Sequence, residues 1–566
     1  MGQRKFVRRS VRLGGHDLDF STGRSLVVLQ GFPLEALLAR CFCHLPRALG
    51  DTPRFEPSVV WLRTPPIPVG TLAYGGPLKN RRRRLLIVHR SRVIATIGPS
   101  CDNEETLVAM LKAGLDVARL NYSHGDLPSK TATIERLRAA EEASGRPLGV
   151  LADLPGPKLR LGRFPGTAHL ERGTSVTLCC GEERAEDVSN LAFPVPYASL
   201  AQELQVGDPV LLADGLIRLE VESIMGETVT AQVLDGGYLS ERKGINVPRT
   251  MVSLPAIGEK DEACLKHALA NGVDFVAVSY VRSAADLEPA RRIIAESGLH
   301  TWVVAKIEHP AALTDLDAIV DASDVVMVAR GDLGVEIPLE EVPAAQERII
   351  GMCLARGKPV IVATQMLESM VDHPRPTRAE VSDVATAIRQ FTSAVMLSGE
   401  TATGAYPVEA VSTMVRIAER ASMAIDGLPS PPALAMFRST RAITGAAVKL
   451  AADVGAARLI VATRHGSAAR LMAAHRPQRP ILAITNRMRA LRRTTMLPGV
   501  SGHLVEEQPR SRDTVGAAVK AMVDAGQMHP GEKVVTVTGS PNAISGRTST
   551  IRLVGVDENG NLRMLE

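Results

Sequence analysis

The chain has 566 residues, of which 45% are apolar, 22% charged and 3% aromatic. At roughly 100–200 residues per domain this length predicts about three to five domains, and the composition excludes a mostly disordered chain, a collagen and a coiled coil. The net charge of +5 is unevenly placed: residues 1–90 hold 16 Lys and Arg against 5 Asp and Glu, while the rest holds 50 against 56, so a basic nucleic-acid surface spread over the whole protein is excluded.

Residues 1–85 show no sustained period and are expected to form a poorly ordered basic extension. The apolar stretch 26–42 is interrupted by Pro33, Glu35 and Arg40, and Arg81–Arg84 is a basic run. A targeting peptide or a nucleic-acid contact is the alternative for this segment, and no function is placed on it. No stretch of the chain reaches the ~18 apolar residues of a membrane span. The seven cysteines (41, 43, 101, 179, 180, 264 and 353) show neither a zinc spacing nor a disulfide framework, which points to a reducing, cytoplasmic setting.

From residue 93 the chain repeats one theme: an apolar β-branched run, a polar or glycine turn, then a helical pattern. The runs are 93–97, 116–120, 149–152, 274–278, 302–305, 325–328, 359–363 and 394–397. Apolar strands alternating with amphipathic helices predict a parallel sheet, and eight such units predict a closed (β/α)₈ TIM barrel over 86–161 and 249–425. Thr377 followed by Glu380 is a capping box and predicts a helix start there. Between 162 and 248 the texture becomes short and alternating, as in 209–212, 217–221 and 228–234, with glycine turns between. An all-β lid inserted in a βα loop is expected. Residues 426–566 read as a C-terminal α/β domain, with strands at 459–463, 481–485 and 534–538.

In such a barrel the active site lies where the strands end. The residues there are Arg119, Asn121 and Ser123 after strand two, Asp153 after three and Ser279 after four. Lys306 and Glu308 follow on five, Arg330, Gly331 and Asp332 on six, Thr364 on seven, and Ser398 and Glu400 on eight. One such residue alone is more often a cap or a surface charge. As a set, two carboxylates (Glu308 and Asp332) without His or Cys suit a hard, oxygen-seeking divalent ion such as Mg²⁺. An Arg and a Lys beside that ion suit a phosphoryl group in transit. There is no P-loop and no GxGxxG.

The motifs resemble those of the pyruvate kinase family. They include Thr96–Pro99, Ala118–Gly125, Lys243–Asn246, Ala305–Glu308, Met327–Glu336, Ala363–Met370, Pro374–Val381 and Leu397–Ala402, and the resemblance covers roughly 90–566. It implies a barrel, an inserted lid and a regulatory C-terminal domain, and transfer of phosphate from phosphoenolpyruvate to ADP. It also implies that Glu308 and Asp332 bind Mg²⁺ or Mn²⁺. Arg119 and Lys306 would contact the phosphoryl group, and Gly331, Asp332 and Thr364 would line the phosphoenolpyruvate pocket. Thr364 and Ser398, with water, would relay the proton that converts enolpyruvate to pyruvate. The nucleotide would lie near Asn121, Tyr122, Ser123, His124, Arg160 and Lys243. A homotetramer is the usual assembly of the family.

One departure bears on mechanism. Asn121, Ser123, Asp153 and the carbonyl of Leu154 match the family's K⁺ ligands, but the usual glutamate nearby is Lys158. A lysine ammonium supplies the charge K⁺ would bring, so turnover independent of K⁺ is expected; the alternative is a Lys158 that points to solvent while K⁺ still binds. In the C-terminal domain, Thr463, Arg464, His465, Gly466 and Ser467 form a strand-to-helix turn suited to phosphate. That turn resembles the family's effector loop, and 540–549 resembles a second one; a phosphorylated effector is a possible partner, with a plain turn as the alternative and His465 a solvated loop residue. A phosphoenolpyruvate- or pyruvate-binding lyase or aldolase shares the two carboxylates and an arginine but needs neither lid nor Lys306. A silent scaffold would not need the intact set.

Overall fold

The structure, a computed structural model, describes residues 9–13, 16–20 and 91–565, apart from 249, 251, 424, 426–437, 507, 509–510 and 540–547. The chain divides into two units, Met1–Lys79 and Asn80–Glu566. In the first, Arg9–Leu13 and His16–Phe20 pair as an antiparallel hairpin, with Leu13 opposite His16. Most of the 1–85 extension, Arg81–Arg84 included, lies outside the described residues.

The second unit is built on a closed eight-stranded barrel. Its strands are β1 (Arg92–Thr96), β2 (Val117–Asn121), β3 (Gly149–Asp153), β4 (Phe275–Val278), β5 (Trp302–Ile307), β6 (Val325–Ala329), β7 (Val360–Ala363) and β8 (Ala394–Leu397). All neighbours are parallel, and β8 closes onto β1 with Ala394 beside Arg92. Each strand coincides with one of the eight apolar runs to within a residue or two. The runs are legible because both faces of a parallel barrel strand are buried, one under helices and one inside the barrel. Val93, Ala95 and Val326 pack under the helices. Ile94, Leu151, Phe275, Val304, Met327, Ile361 and Met396 fill the barrel. Each large aliphatic side chain so buried contributes about 1.5–3 kcal/mol.

Helix starts follow their local chemistry. The expected capping box is present: Glu380 N donates to Thr377 Oγ1 (3.2 Å) and Thr377 N donates to Glu380 Oε2 (2.7 Å), opening the helix Arg378–Arg389. Asn103 and Asp126 cap the helices Glu104–Ala113 and Leu127–Ser144 in the same way. Each such cap contributes about 1 kcal/mol.

Between β3 and β4 the chain forms the all-β insertion. A six-stranded sheet runs in the order Ile245–Asn246, Pro209–Leu212, Ile217–Met225, Thr228–Asp235, Ser175–Cys180, Ala192–Val195. Thr167–Leu170 and Gly237–Ser240 add a separate pair. Alternation in Ile217–Met225 turns Ile217, Leu219 and Val221 into a core shared with Phe193 and Leu178.

The C-terminal sheet has six strands, in the order Val500–Leu504, Ile481–Thr485, Arg458–Ala462, Lys533–Thr538, Thr550–Val556, Leu562–Met564. The first four are parallel and the last two antiparallel. Three of these strands are the expected ones. Val500–Leu504, Thr550–Val556 and Leu562–Met564 are additional, and the first carries Ser501, Gly502 and His503, which hide it from any apolar pattern. Leu459, Met472, Ile481 and Leu497 pack in one cluster with the residues filling the barrel. At this foot Arg92 Nε donates to the Leu497 carbonyl at 2.7 Å.

Candidate active site

Side chains from β2, β3 and β5 meet at the barrel mouth. Asp153, 1% exposed, accepts from Arg119 Nε on Oδ2 at 2.7 Å. The Lys306 ammonium stands 3.3 Å from its Oδ1. Lys306 also pairs with Glu308 Oε1 at 2.7 Å and donates to Ser279 Oγ at 2.9 Å. Ser279 in turn donates to the Leu154 carbonyl at 2.8 Å. Glu308 Oε2 accepts the Tyr280 amide at 2.7 Å. Arg119 is fixed further by a 2.8 Å bond to Thr96 Oγ1.

The electrostatics follow from burial and sign. Burial works to raise the Asp153 carboxyl, but Lys306 and Arg119 together hold it below its ordinary value. Burial also opposes the charge on Lys306, and Asp153, Glu308 and Asp332 overcome it and raise the ammonium. Glu308 is pushed up to about 7, first by burial and also by Asp332, against the pull of Lys306. Glu336, in the helix Arg330–Glu336, is likewise raised to about 7 by burial, with Asp332 and Glu308 adding to the effect. Glu308, Asp332 and Glu336 thus press on one another, with Lys306 acting on Glu308 and Lys158 on Glu336, a field that a further cation relieves.

Those donors fit a hard divalent ion. Mg²⁺ is usually held by one or two carboxylates, with water and substrate phosphate completing its shell. Glu308 and Asp332 supply that number, and among the described residues no group of three or more His, Cys, Asp or Glu could hold a metal on its own.

Gly331 and Asp332 lie in the first turn of Arg330–Glu336, and the Gly331 amide donates to Thr364 Oγ1 at 2.6 Å. A Cβ on Gly331 would stand 3.2 Å from that oxygen, which explains the glycine. Thr364 has φ 67° and Gln365 φ 53°. Left-handed backbone at a β-branched residue is strained and must be held from outside. Arg330 holds it: its guanidinium pairs with Asp383 at 2.7 and 2.8 Å and donates to the carbonyls of Thr364 (2.9 Å) and Gln365 (3.0 Å). Ser398 Oγ is buried without a partner, and its amide donates to Glu400 Oε2 at 2.6 Å.

Asn121 Oδ1 accepts the Ser123 amide at 3.0 Å, and His124 is exposed. The Tyr122 side chain turns away into the barrel wall, 3% exposed, with its hydroxyl 3.2 Å from His267 Nδ1. Arg160 bridges to Gly244, next to the exposed Lys243, so this pair sits at the root of the all-β insertion. The Lys158 ammonium pairs with Asp214 Oδ1 of the insertion at 3.0 Å and lies against Gly244. It does not point freely into solvent, and the cations in contact with Asp153 are Arg119 and Lys306. Asn246 donates to Glu336 Oε1 at 2.6 Å, tying the insertion to the barrel.

In the C-terminal domain Thr463 Oγ1 accepts the Gly466 amide at 3.0 Å, with Gly466 at φ 88° and the helix Ser467–Ala474 starting there; Arg464 is exposed. His465 is not solvated as expected. It packs on His300 with ring centroids 4.5 Å apart, and burial with the neighbouring positive groups lowers it to about 4. Of the second loop, 540–547 lie outside the described residues.

Tyr280, Asn246, Glu336 and Asp383 were not singled out from the sequence. Asn246 and Glu336 each end one of the motif runs, which is the only signal they carried.

Comparisons with known proteins agree with this geometry. The pyruvate kinase barrel domain matches residues 88–411 and the pyruvate kinase alpha/beta domain matches 441–554. A pyruvate kinase of Mycobacterium tuberculosis is 40% identical over 477 residues, covering 83% of this chain and 99% of its own length. One from Geobacillus stearothermophilus is 40% identical over 474 residues, covering 82% of this chain and 80% of its own. The crystal structure of a pyruvate kinase from Cryptosporidium parvum superposes with a TM-score of 0.76 at 33% identity, covering 83% of this chain and 97% of that one. The chain belongs to the pyruvate kinase family.

Proposed function

We propose that this enzyme transfers the phosphoryl group of phosphoenolpyruvate to ADP with Mg²⁺ or Mn²⁺, giving pyruvate and ATP. The observation that carries the reading is the buried Lys306 ammonium held between Glu308, Asp153 and Ser279. Three partners fix its position before substrate arrives, so its charge faces the moving phosphoryl group without reorganisation. Arg119, locked to Asp153 and Thr96, presents its remaining donors to the same group. Glu308 and Asp332 would hold the divalent ion, which would supply charge to neutralise phosphoryl oxygens. The Gly331 amide and Thr364 hydroxyl, which donate to Thr364 Oγ1 and the Ala363 carbonyl without substrate, exchange those bonds for the substrate's other end. Thr364 and Ser398, through water, carry the proton to the enol carbon; the unpartnered Ser398 hydroxyl has a bond to give.

The nucleotide lies along Asn121, Ser123, His124, Arg160 and Lys243, with Tyr122 contributing backbone only. The lid closes over it and keeps water from competing for the phosphoryl group. Turnover does not require K⁺. Arg119 and Lys306 already pair with Asp153, although its Oδ1 has no hydrogen-bond partner, and Lys158 adds charge that reaches Glu336. The enzyme works in the cytosol as a homotetramer, with a phosphorylated effector at 463–467. Buried free thiols at Cys101, Cys180, Cys264 and Cys353 support a reducing compartment, and among the described residues no helix is long and apolar enough to cross a membrane.

The test is ATP formation from phosphoenolpyruvate and ADP, with and without Mg²⁺. Failure to form ATP sinks the reading and returns the lyase alternative; equal rates of ATP formation in excess EDTA remove the divalent ion from the reading.

A further inference from the structure

A second concentration of positive charge lies at the foot of the barrel, away from the strand ends. A narrow cleft opens there between the turns that lead into β7 and β8 and the C-terminal domain, lined by Lys358, Ser393, Arg470, Arg476 and Leu497 among others. Arg476 is 5% exposed and sits at φ 46°. One end of its guanidinium donates to the Phe391 carbonyl at 2.6 Å and to Ser393 Oγ at 3.2 Å. Its Nε is buried without a hydrogen-bond partner. Burial lowers the group to about 10, with no carboxylate offsetting it.

Arg470 repeats the pattern. Its guanidinium stacks over Trp302, 5.4 Å from the ring centroid, and reaches Asp324 Oδ1 only at 3.5 Å, while its Nε is also buried and unpartnered. Lys358 donates to the Ser323 carbonyl at 2.6 Å and the Asp321 carbonyl at 3.3 Å. Burial, with Arg470 beside it, lowers its ammonium to about 8. The carboxylate in contact, Asp324, is shared with Arg291 at 3.4 Å, and Asp321 is taken by Arg356 at 2.9 Å. Three cations therefore line one cleft with one divided counter-charge, and two of them carry an N–H with nothing to accept it.

Leaving buried charge unpaired costs several kcal/mol, so this arrangement is more than a domain clamp needs. A tetrahedral oxyanion answers it, with several acceptor oxygens and up to two negative charges. Guanidinium groups bind such anions with directional, charge-assisted bonds. We propose that this cleft binds a phosphate group, free or as the end of a small monoester, between the barrel and the C-terminal domain.

Thermal unfolding of the full chain tests it, with inorganic phosphate titrated against KCl at matched ionic strength. Phosphate should raise the melting temperature saturably. The rise should persist in Lys306→Met, which removes the catalytic ammonium, and in Thr463→Val, which alters the effector turn. In Lys358→Met and Arg476→Met the apparent affinity should weaken by at least about tenfold. Should Arg476→Met fail to fold, Lys358→Met decides alone. Glycerol 3-phosphate run in parallel separates an ester from the free ion: equal or tighter binding assigns the monoester, and a shift with phosphate alone assigns the free ion. The absence of a saturable shift, an undiminished response in Lys358→Met, or loss of the response in Lys306→Met or Thr463→Val would each overturn the proposal.

Discussion

Replacing Lys306 by Met removes the ammonium while keeping most of the side chain's volume. In the parent that ammonium lies 2.7 Å from Glu308, 3.3 Å from Asp153 and 2.9 Å from Ser279 Oγ. Without it Glu308, Asp153 and Asp332 face one another with Arg119 as the remaining cation, and the Ser279 hydroxyl loses its donor. Removing one partner of a buried ion pair costs about 3–5 kcal/mol, because the other charge stays buried. Loss of one preorganised donor to a developing charge lowers kcat by about 10²–10³-fold, and here a full positive charge goes with it, so a fall of about 10³-fold or more is expected. Coupled measurement of pyruvate formation reads kcat, and far-ultraviolet circular dichroism establishes that the variant is folded. A folded Lys306→Met enzyme keeping more than about a tenth of the parent kcat, equivalent to a loss of only ~1.4 kcal/mol, would refute the argument.

Three further outcomes are expected. Assayed in tetramethylammonium salts, the enzyme should gain less than about tenfold in rate on adding KCl; a larger activation would show that a monovalent ion is still required. Gly331→Ala should raise the KM for phosphoenolpyruvate, because the new methyl crowds the Thr364 hydroxyl at 3.2 Å and turns the amide aside; an unchanged KM would remove Gly331 from the substrate pocket. Lys358 binds its proton less tightly folded, at about 8, than at its ordinary 10.5. The unfolded chain therefore holds more protons between those values, and stability rises with pH across that window. The difference in stability between parent and Lys358→Met, followed by chemical unfolding from pH 7 to 10.5, should change there, and a difference independent of pH would contradict the burial of that ammonium.

The sequence carried much of the site because the barrel turns chain position into place. Every strand end faces one mouth, so Arg119, Asp153, Lys306, Glu308, Asp332 and Thr364 were legible as a set from the residues that end apolar runs. Their pairings were not. Asp153 chooses Arg119 and Lys306 across 34 and 153 residues of chain, and only closure of β3 onto β2 and β4 brings them together. Lys158 was legible as a charge near the site, but its partner Asp214 sits on the insertion, 56 residues away. The pairing of Asn246 with Glu336 leaves no local pattern, because an amide and a carboxylate 90 residues apart meet only in the folded chain. The same holds for Asp383, the partner through which Arg330 fixes the strained Thr364 backbone.

Periodicity alone determined the eight strands, the inserted all-β segment and the start of the helix at Thr377, because burial on one or both faces of an element writes itself into neighbouring residues. Tertiary structure alone decided which charge meets which, how far burial moves the carboxyls of Glu308 and Glu336, and that Lys358, Arg470 and Arg476 gather at the barrel's foot. Those outcomes depend on desolvation and on distances of a few ångströms between segments far apart in the chain, and no stretch of sequence encodes either one by itself.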